Sequence, residues 1–242
     1  MALLKKMSSP KRSKLTIAKE GMPLILLLAA LSTALWLFTV FTSSTLLFWI
    51  ALAATILTLT VSFMFRNPIR IAHNLNDLDI ISPADGKIAS IVPVEEPQFL
   101  KKTVMRISIF LALPDVHINW IPVSGMVKHK QHSEGKCLPA FTARASDKNR
   151  RVSIGLESED GFRMTVAQIT GFIARRIKCN LTPGQRVERG ERYGMIYFGS
   201  RVDVFLPPET TITVTKGDRV YGGITVIGRK KEHHDTNKVS AT

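Results

Sequence analysis

The stretch "RYGMIYFGSRVDVFLP", Arg192 to Pro207, decides how the second half of this chain is read. Its aromatic and β-branched residues suit a strand, or two strands joined end to end. Yet Gly199 and Ser200 stand in its middle, with Arg201 and Asp203 directly after. A glycine inside a strand forfeits packing and marks a bulge or a close backbone approach. The segment therefore asks for a reason why a strand former carries Gly-Ser-Arg at its centre.

The residues around it carry the same β signal. From position 80 onward, short apolar runs alternate with Gly, Pro, Asp and Asn turns. They are 86–94, 104–113, 151–158, 162–170, 191–198, 201–207 and 211–217. Such spacing predicts a mainly β domain, a compact sandwich or barrel with few short helices. The stretch 168–180 is expected as a short helix. An internal echo joins "LTPGQRVERGERYG" (181–194) to "VTKGDRVYGGITVIG" (214–228): each reads as strand, Gly turn, strand.

The N-terminal part obeys different rules. Residues 22–65 contain no Asp, Glu, Lys, Arg or His. One membrane span takes about 20 apolar residues, so there is room for two. Thr42-Ser43-Ser44-Thr45 is the polar break, which places helices at about 23–41 and 46–65. Trp36, Phe38, Phe41, Phe48 and Trp49 crowd towards the tip, where aromatic rings favour the interface. The first twenty residues are basic, and Arg66 and Arg70 follow the second run. Positive-inside logic puts both ends in the cytoplasm, with the β domain on the cytoplasmic face of the cell membrane. A cleaved signal peptide is the weaker reading, because the second run would remain as a span. The expected order is a basic N-terminus (1–21), a transmembrane hairpin (22–65), a linker (66–80), a β domain (81–228) and a polar tail (229–242).

Charge and cysteine content narrow the partners. The net charge of +14 suits an anionic partner. No zinc-finger spacing or aromatic RNA-binding motif occurs, so lipid headgroups are favoured over nucleic acid. Cys137 and Cys179 make no disulfide framework and read as reduced thiols. No phosphate loop and no GxSxG elbow is present. The adjacent His233 and His234 lack partners at metal spacing, so no metal is expected.

Four segments remain: "SPADG" (82–86), "PDVHINWIP" (114–122), "GFIARRI" (171–177) and "FGSRVD" (198–203). Singly, each has an ordinary reading: a tight turn, a structural histidine, a solvated basic face, a bulge. Together with "FRNP" (65–68), "GKCLPA" (135–140) and the full "YFGSRVDVFLP" (197–207), they resemble the phosphatidylserine decarboxylase proenzymes in their short form. The resemblance runs from about Phe65 to about Ile227. The related archaetidylserine decarboxylases share these motifs, so they are the alternative for the lipid.

The resemblance implies self-cleavage between Gly199 and Ser200. The Ser200 hydroxyl attacks the preceding carbonyl to give an ester. β-Elimination releases a β chain, 1–199, and the dehydroalanine left on the α chain, 200–242, hydrolyses to a pyruvoyl group with loss of ammonia. This covalent pyruvate is the cofactor, and it forms a Schiff base with the substrate's amine before CO2 leaves. The two chains stay together as a heterodimer, with a dimer of heterodimers possible. Gly199 is expected to leave the attacked carbonyl unobstructed. His117 is the expected base, with Asp85 as its orienting carboxylate. Arg175, Arg176 and Arg201 are candidates for the headgroup phosphate, although Arg201 equally suits bracing Asp203. Longer members carry a second histidine where this chain has Trp120. Its work then falls to His117, to His129 or His132, or to water. Two rivals compete: a membrane-anchored biotinyl- or lipoyl-type carrier, and an uncleaved, non-catalytic β domain.

Overall fold

The computed structural model describes residues 16–136, 138–140, 145–172, 176–197 and 199–231. The chain divides into two units, 1–70 and 71–242. In the first, β1 (Thr16–Ile17) pairs with β2 (Arg66–Asn67), and between them run α1 (Met22–Thr42) and α2 (Thr45–Met64). Both helices are long and apolar enough to cross a membrane. At about 1.5 Å per residue each matches the hydrocarbon thickness of a bilayer. The polar break makes the hairpin. Ser43 closes α1 in the left-handed conformation, φ 49°, and Ser44 caps α2 by accepting the Leu47 N–H. Thr55 Oγ1 ties the helices together, lying 2.9 Å from Ser32 Oγ and accepting the Trp36 indole N–H at 3.0 Å.

The second unit is built of β strands. Its elements are β3 (Asp79–Ile81), β4 (Gly86–Glu96), β5 (Lys102–Leu111), β6 (Ile118–Trp120), β7 (Gly125–Ser133), α3 (Ala145–Lys148), β8 (Arg151–Glu157), β9 (Arg163–Ile169), β10 (Ile177–Cys179), β11 (Arg186–Val187), β12 (Arg192–Ile196), β13 (Ser200–Leu206), β14 (Thr211–Ile212), β15 (Arg219–Val220) and β16 (Val226–Arg229). Eight of them form one curled antiparallel sheet in the order β11-β7-β8-β9-β13-β5-β4-β15. Two three-stranded sheets, β10-β12-β6 and β14-β16-β3, accompany it. Alternation fixes the faces of β13: Val202, Val204 and Leu206 enter the shared core with Ile109, Ile154 and Val166.

The sheet order is palindromic, and the internal echo in the sequence is its cause. Exchanging β15 for β11, β4 for β7, β5 for β8 and β13 for β9 reproduces the sheet. Main-chain hydrogen bonds repeat in step. Ile88 N–H donates to Asp218 O at 2.9 Å, as Val127 N–H does to Gln185 O at 2.9 Å. Lys230 N–H donates to Leu78 O at 2.9 Å, as Ile196 N–H does to His117 O at 3.1 Å. The domain is two similar halves joined along β9 and β13.

Two expectations change. Residues 168–180 are not a helix where they are described: β9 ends at Ile169, and Ile177–Cys179 pairs as β10 with β12. The opening stretch is two strands, β12 and β13, in two different sheets. Strand β3 pairs with β16 from Asp79 onward.

Candidate active site

Ser200 is the first residue of β13 and is fully buried, and its Oγ has no hydrogen-bond partner among the described residues. A buried hydroxyl left unsatisfied costs about 1–3 kcal/mol. Gly199, before it, has φ +57°. That left-handed conformation costs any other L-residue roughly 1–2 kcal/mol. The space at Gly199 is not tight, because a Cβ there would come no nearer than 3.9 Å to Leu113. The glycine is therefore needed for its backbone conformation rather than for clearance. Clearance is the business of Gly171, where a Cβ would overlap the Gly199 carbonyl oxygen. Sequence reasoning quoted "GFIARRI" for its arginines and missed its glycine.

His117 precedes β6 and is buried. Its Nε2 lies 3.1 Å from the Gly199 main-chain nitrogen, and its Nδ1 lies 2.8 Å from the carbonyl oxygen of Asp115. A main-chain N–H only donates, so Nε2 presents a lone pair and the ring proton resides on Nδ1, facing the carbonyl. This is the tautomer a general base requires, held against the Gly199–Ser200 peptide. Asp115 in turn is fixed by accepting the Ala112 N–H at 2.8 Å and by an ion pair with Arg219. The Asp115 carbonyl is thus the partner that faces His117 Nδ1, and the Pro114-Asp115 turn was the available signal for it.

Asp85 is buried in the neighbouring turn, and its Oδ1 accepts the Gly222 N–H at 2.8 Å. Trp120 is buried against the same turn: a Cβ at Gly222 would overlap its indole ring. Where longer relatives are expected to carry a second imidazole, this chain thus has a packing residue. His129 and His132 do not replace it. His129 stacks on Phe99, with ring centroids 6.1 Å apart, on the rung of Gly155, Thr165 and Phe205. His132 shares a rung with Val152, Gln168 and Val202, three strands or about 14 Å from β13.

Arg201 is 2% exposed, and its Nε pairs with Asp203 Oδ1 at 2.6 Å while its guanidinium also reaches Ser108. Ser146 Oγ donates to the other Asp203 oxygen at 2.6 Å. These contacts brace the strand beside the Gly199–Ser200 peptide and turn the guanidinium away from solvent, the bracing arrangement that the sequence also suggested for Arg201. Arg176 is exposed, 5.6 Å from the Tyr197 ring, and its carbonyl accepts the Tyr197 N–H at 3.2 Å. Arg175 lies outside the described residues, as does Cys137. Burial pushes the Cys179 thiol up, which keeps it protonated and unreactive. Burial also pushes the Tyr193 hydroxyl well up, so neither competes with His117 as a base.

Known proteins were compared with the chain as a whole. The family model described as phosphatidylserine decarboxylase matches residues 57–228. A phosphatidylserine decarboxylase proenzyme of Carboxydothermus hydrogenoformans is 48% identical over 185 residues, which span 76% of this chain and 86% of that protein. The proenzyme of Geotalea daltonii is 39% identical over 220 residues, spanning 90% and 98%. That of Symbiobacterium thermophilum is 40% identical over 215 residues, spanning 88% and 95%. Because the match covers the strands and turns that carry Asp85, His117, Gly171 and the Gly199–Ser200 peptide, the chain belongs to the phosphatidylserine decarboxylase family.

Proposed function

We propose that this enzyme cuts itself between Gly199 and Ser200 and then decarboxylates phosphatidylserine to phosphatidylethanolamine and CO2. The observation that carries the reading is the lone pair of His117 Nε2 held 3.1 Å from Gly199 N, beside a buried Ser200 hydroxyl without a partner among the described residues. In the first step Nε2 exchanges the Gly199 N–H for the Ser200 hydroxyl and takes its proton. Oγ adds to the Gly199 carbonyl carbon, and the peptide C–N bond breaks as His117 passes that proton to the Ser200 nitrogen, leaving the ester and a free amine. Removal of the Ser200 α-proton then expels the Gly199 carboxylate, and water releases ammonia from the dehydroalanine. Gly171 keeps the carbonyl oxygen in place throughout.

The residues present fit a pyruvoyl group at position 200: the position is fully buried, and a base already faces it. That group supplies an electrophile for the substrate amine and a sink for the electron pair left by CO2. His117 is placed to return a proton to the α-carbon, since an imidazole moves protons near neutral pH. Asp85 holds the turn that backs the site. Arg176, with Arg175, supplies positive charge for the headgroup phosphate.

Cleavage leaves two chains that remain interlocked. β13 lies between β5 and β9, and β15 and β16 pair with β4 and β3. Arg229 pairs with Asp79 at 2.9 Å and Lys230 with Asp160 at 2.7 Å across the same boundary. The apolar helices suit a diacyl substrate, whose buried CH2 groups each contribute about 0.8 kcal/mol to bilayer retention. The basic flanks support placement on the cytoplasmic face of the cell membrane. Phosphatidylserine is favoured over archaetidylserine because the matched relatives are named for the former.

The test is intact mass on purified, active protein. Two chains are expected, the smaller beginning at position 200 and lighter by one ammonia than a serine-started peptide. A single uncut chain that still decarboxylates would remove the reading.

A further inference from the structure

The two halves of the β domain end in two poles, and the poles carry opposite surfaces. At the catalytic pole, Leu113 (45% exposed) lies 3.9 Å from where a Gly199 Cβ would be, and Phe172 (69% exposed) follows the glycine that packs on the Gly199 carbonyl. Tyr221 (49% exposed) adjoins Gly222, which donates to Asp85. Ile224 is exposed in the same turn. Exposed apolar side chains scattered singly need no explanation, but a set gathered round a reacting bond does.

The second pole supplies an internal control. There Leu78 stands where His117 does, and Phe162 stands where Ser200 does, since Lys230 N–H donates to Leu78 O as Ile196 N–H does to His117 O. The position that matches Leu113 is Asp160, after Ser158 in the way Leu113 follows Leu111. The position that matches Tyr221 is Glu188: Arg189 N–H donates to Ser124 Oγ at 2.9 Å as Gly222 N–H does to Asp85. The loop that matches the one with Phe172 carries Glu209. The same framework thus exposes Leu, Phe and Tyr around the catalytic bond and charged side chains around its inert counterpart, where Asp160 pairs with Lys230 and Glu209 with Lys102.

We infer that the catalytic pole docks on an anionic bilayer, with Leu113, Phe172 and Tyr221 entering the headgroup boundary. The inference rests on the decarboxylase reading above. Charge complementarity argues for the bilayer: exposed Arg176 and half-exposed Arg219 flank the apolar set. Docking brings a headgroup to position 200 while its acyl chains stay in the membrane, so no lipid has to be lifted out.

The test transfers the inert pole's character to the catalytic pole. Full-length wild type and Phe172→Glu/Tyr221→Glu are placed in phosphatidylcholine vesicles containing long-chain phosphatidylserine. Both are also assayed on a short-chain phosphatidylserine that dissolves as monomers. The expected result is normal two-chain processing, unchanged kcat/KM on the monomeric substrate, and at least about a tenfold loss on vesicles, as follows from withdrawing two partly buried apolar side chains. The soluble substrate has the same headgroup charge, so equal losses on both substrates would indicate headgroup repulsion and overturn docking. Vesicle turnover within about twofold of wild type, with processing intact, overturns it too. Should the glutamates block processing, Phe172→Ser/Tyr221→Ser gives the same readout at smaller amplitude. A wild type that is uncut and inert on both substrates sinks the decarboxylase reading itself, and the docking inference with it.

Discussion

One half of the β domain carries the bond proposed to be cut and the other does not, although their main chains follow the same course. Gly199 at φ +57° has its counterpart in Gly161 at φ +78°. The peptide after Gly161 leads into Phe162 and the peptide after Gly199 into Ser200. The left-handed glycine is therefore common to both halves and does not by itself make a bond labile. What differs is the nucleophile, the imidazole in place of Leu78, and the route of the chain. Asp160, Gly161 and Phe162 close a hairpin between β8 and β9, whereas Gly199 directly precedes β13, which lies in a different sheet from β12. Asp85 and Ser124 cap equivalent turns, so turn capping is the ancestral-looking part of the site and His117 the distinguishing part.

This comparison can be broken experimentally. The largest effect is expected from Ser200→Ala, which removes the nucleophile: the chain stays whole on a denaturing gel and makes no CO2. Phe162→Ser is its mirror, giving the inert half a Gly-Ser pair. It should not be cut at Gly161, because Leu78 offers no base; a fragment beginning at residue 162 would show that the imidazole is dispensable. His117→Gln should slow processing about 10²–10⁴-fold, the usual worth of a positioned base, measured as the rate of fragment appearance. Asp203→Ala leaves Arg201 buried without its carboxylate and should cost about 3–5 kcal/mol in unfolding free energy. No destabilisation in a denaturant titration would show that the ion pair does not brace β13. Gly171→Ala places a methyl group on the Gly199 carbonyl oxygen. Processing should fall about 100-fold, as for a misplacement of about 1 Å, with folding retained by circular dichroism.

The smallest effect concerns pH and the contact between the cleaved chains. Burial acts to raise the Asp79 pKa, but the Asn76 N–H and the charges of Arg229 and Arg189 outweigh it, so the carboxyl lies below its ordinary 3.8. A lowered carboxylate pKa adds stability that is complete above the unfolded value and lost as pH falls through the folded one. Retention of the α chain should accordingly weaken below about pH 4, and Asp79→Asn should flatten that dependence. Size-exclusion profiles of the processed enzyme from pH 7 to pH 3 measure it.

The hairpin of apolar helices was legible because a run of 44 residues without charge admits few structures, and the observed bounds differ from the expected ones by one residue at each end. The strands of the β domain were legible for the reason that alternation has a period of two. The stretch 168–180 was misread because its apolar spacing also suits a helix; pairing with β12 decides it, and pairing partners are not local. Ser200, Gly199 and His117 stood out because rare residue types interrupt otherwise regular strands. Asp115 and Gly171 did not, since a carbonyl that orients a ring and a Cα that seats an oxygen leave no mark in side-chain chemistry.

The sequence by itself determined the two long apolar helices, the β character and the echo between 181–194 and 214–228, all carried by local composition and spacing. Tertiary structure decided which half carries a base beside its left-handed glycine. It set His117 Nε2 against Gly199, gave Asp85 to a turn and Arg201 to Asp203, and separated an apolar pole from a charged one. The reason is distance along the chain: His117 and Gly199 are 82 positions apart, and only the packing of β6 against β12 brings them within 3.1 Å.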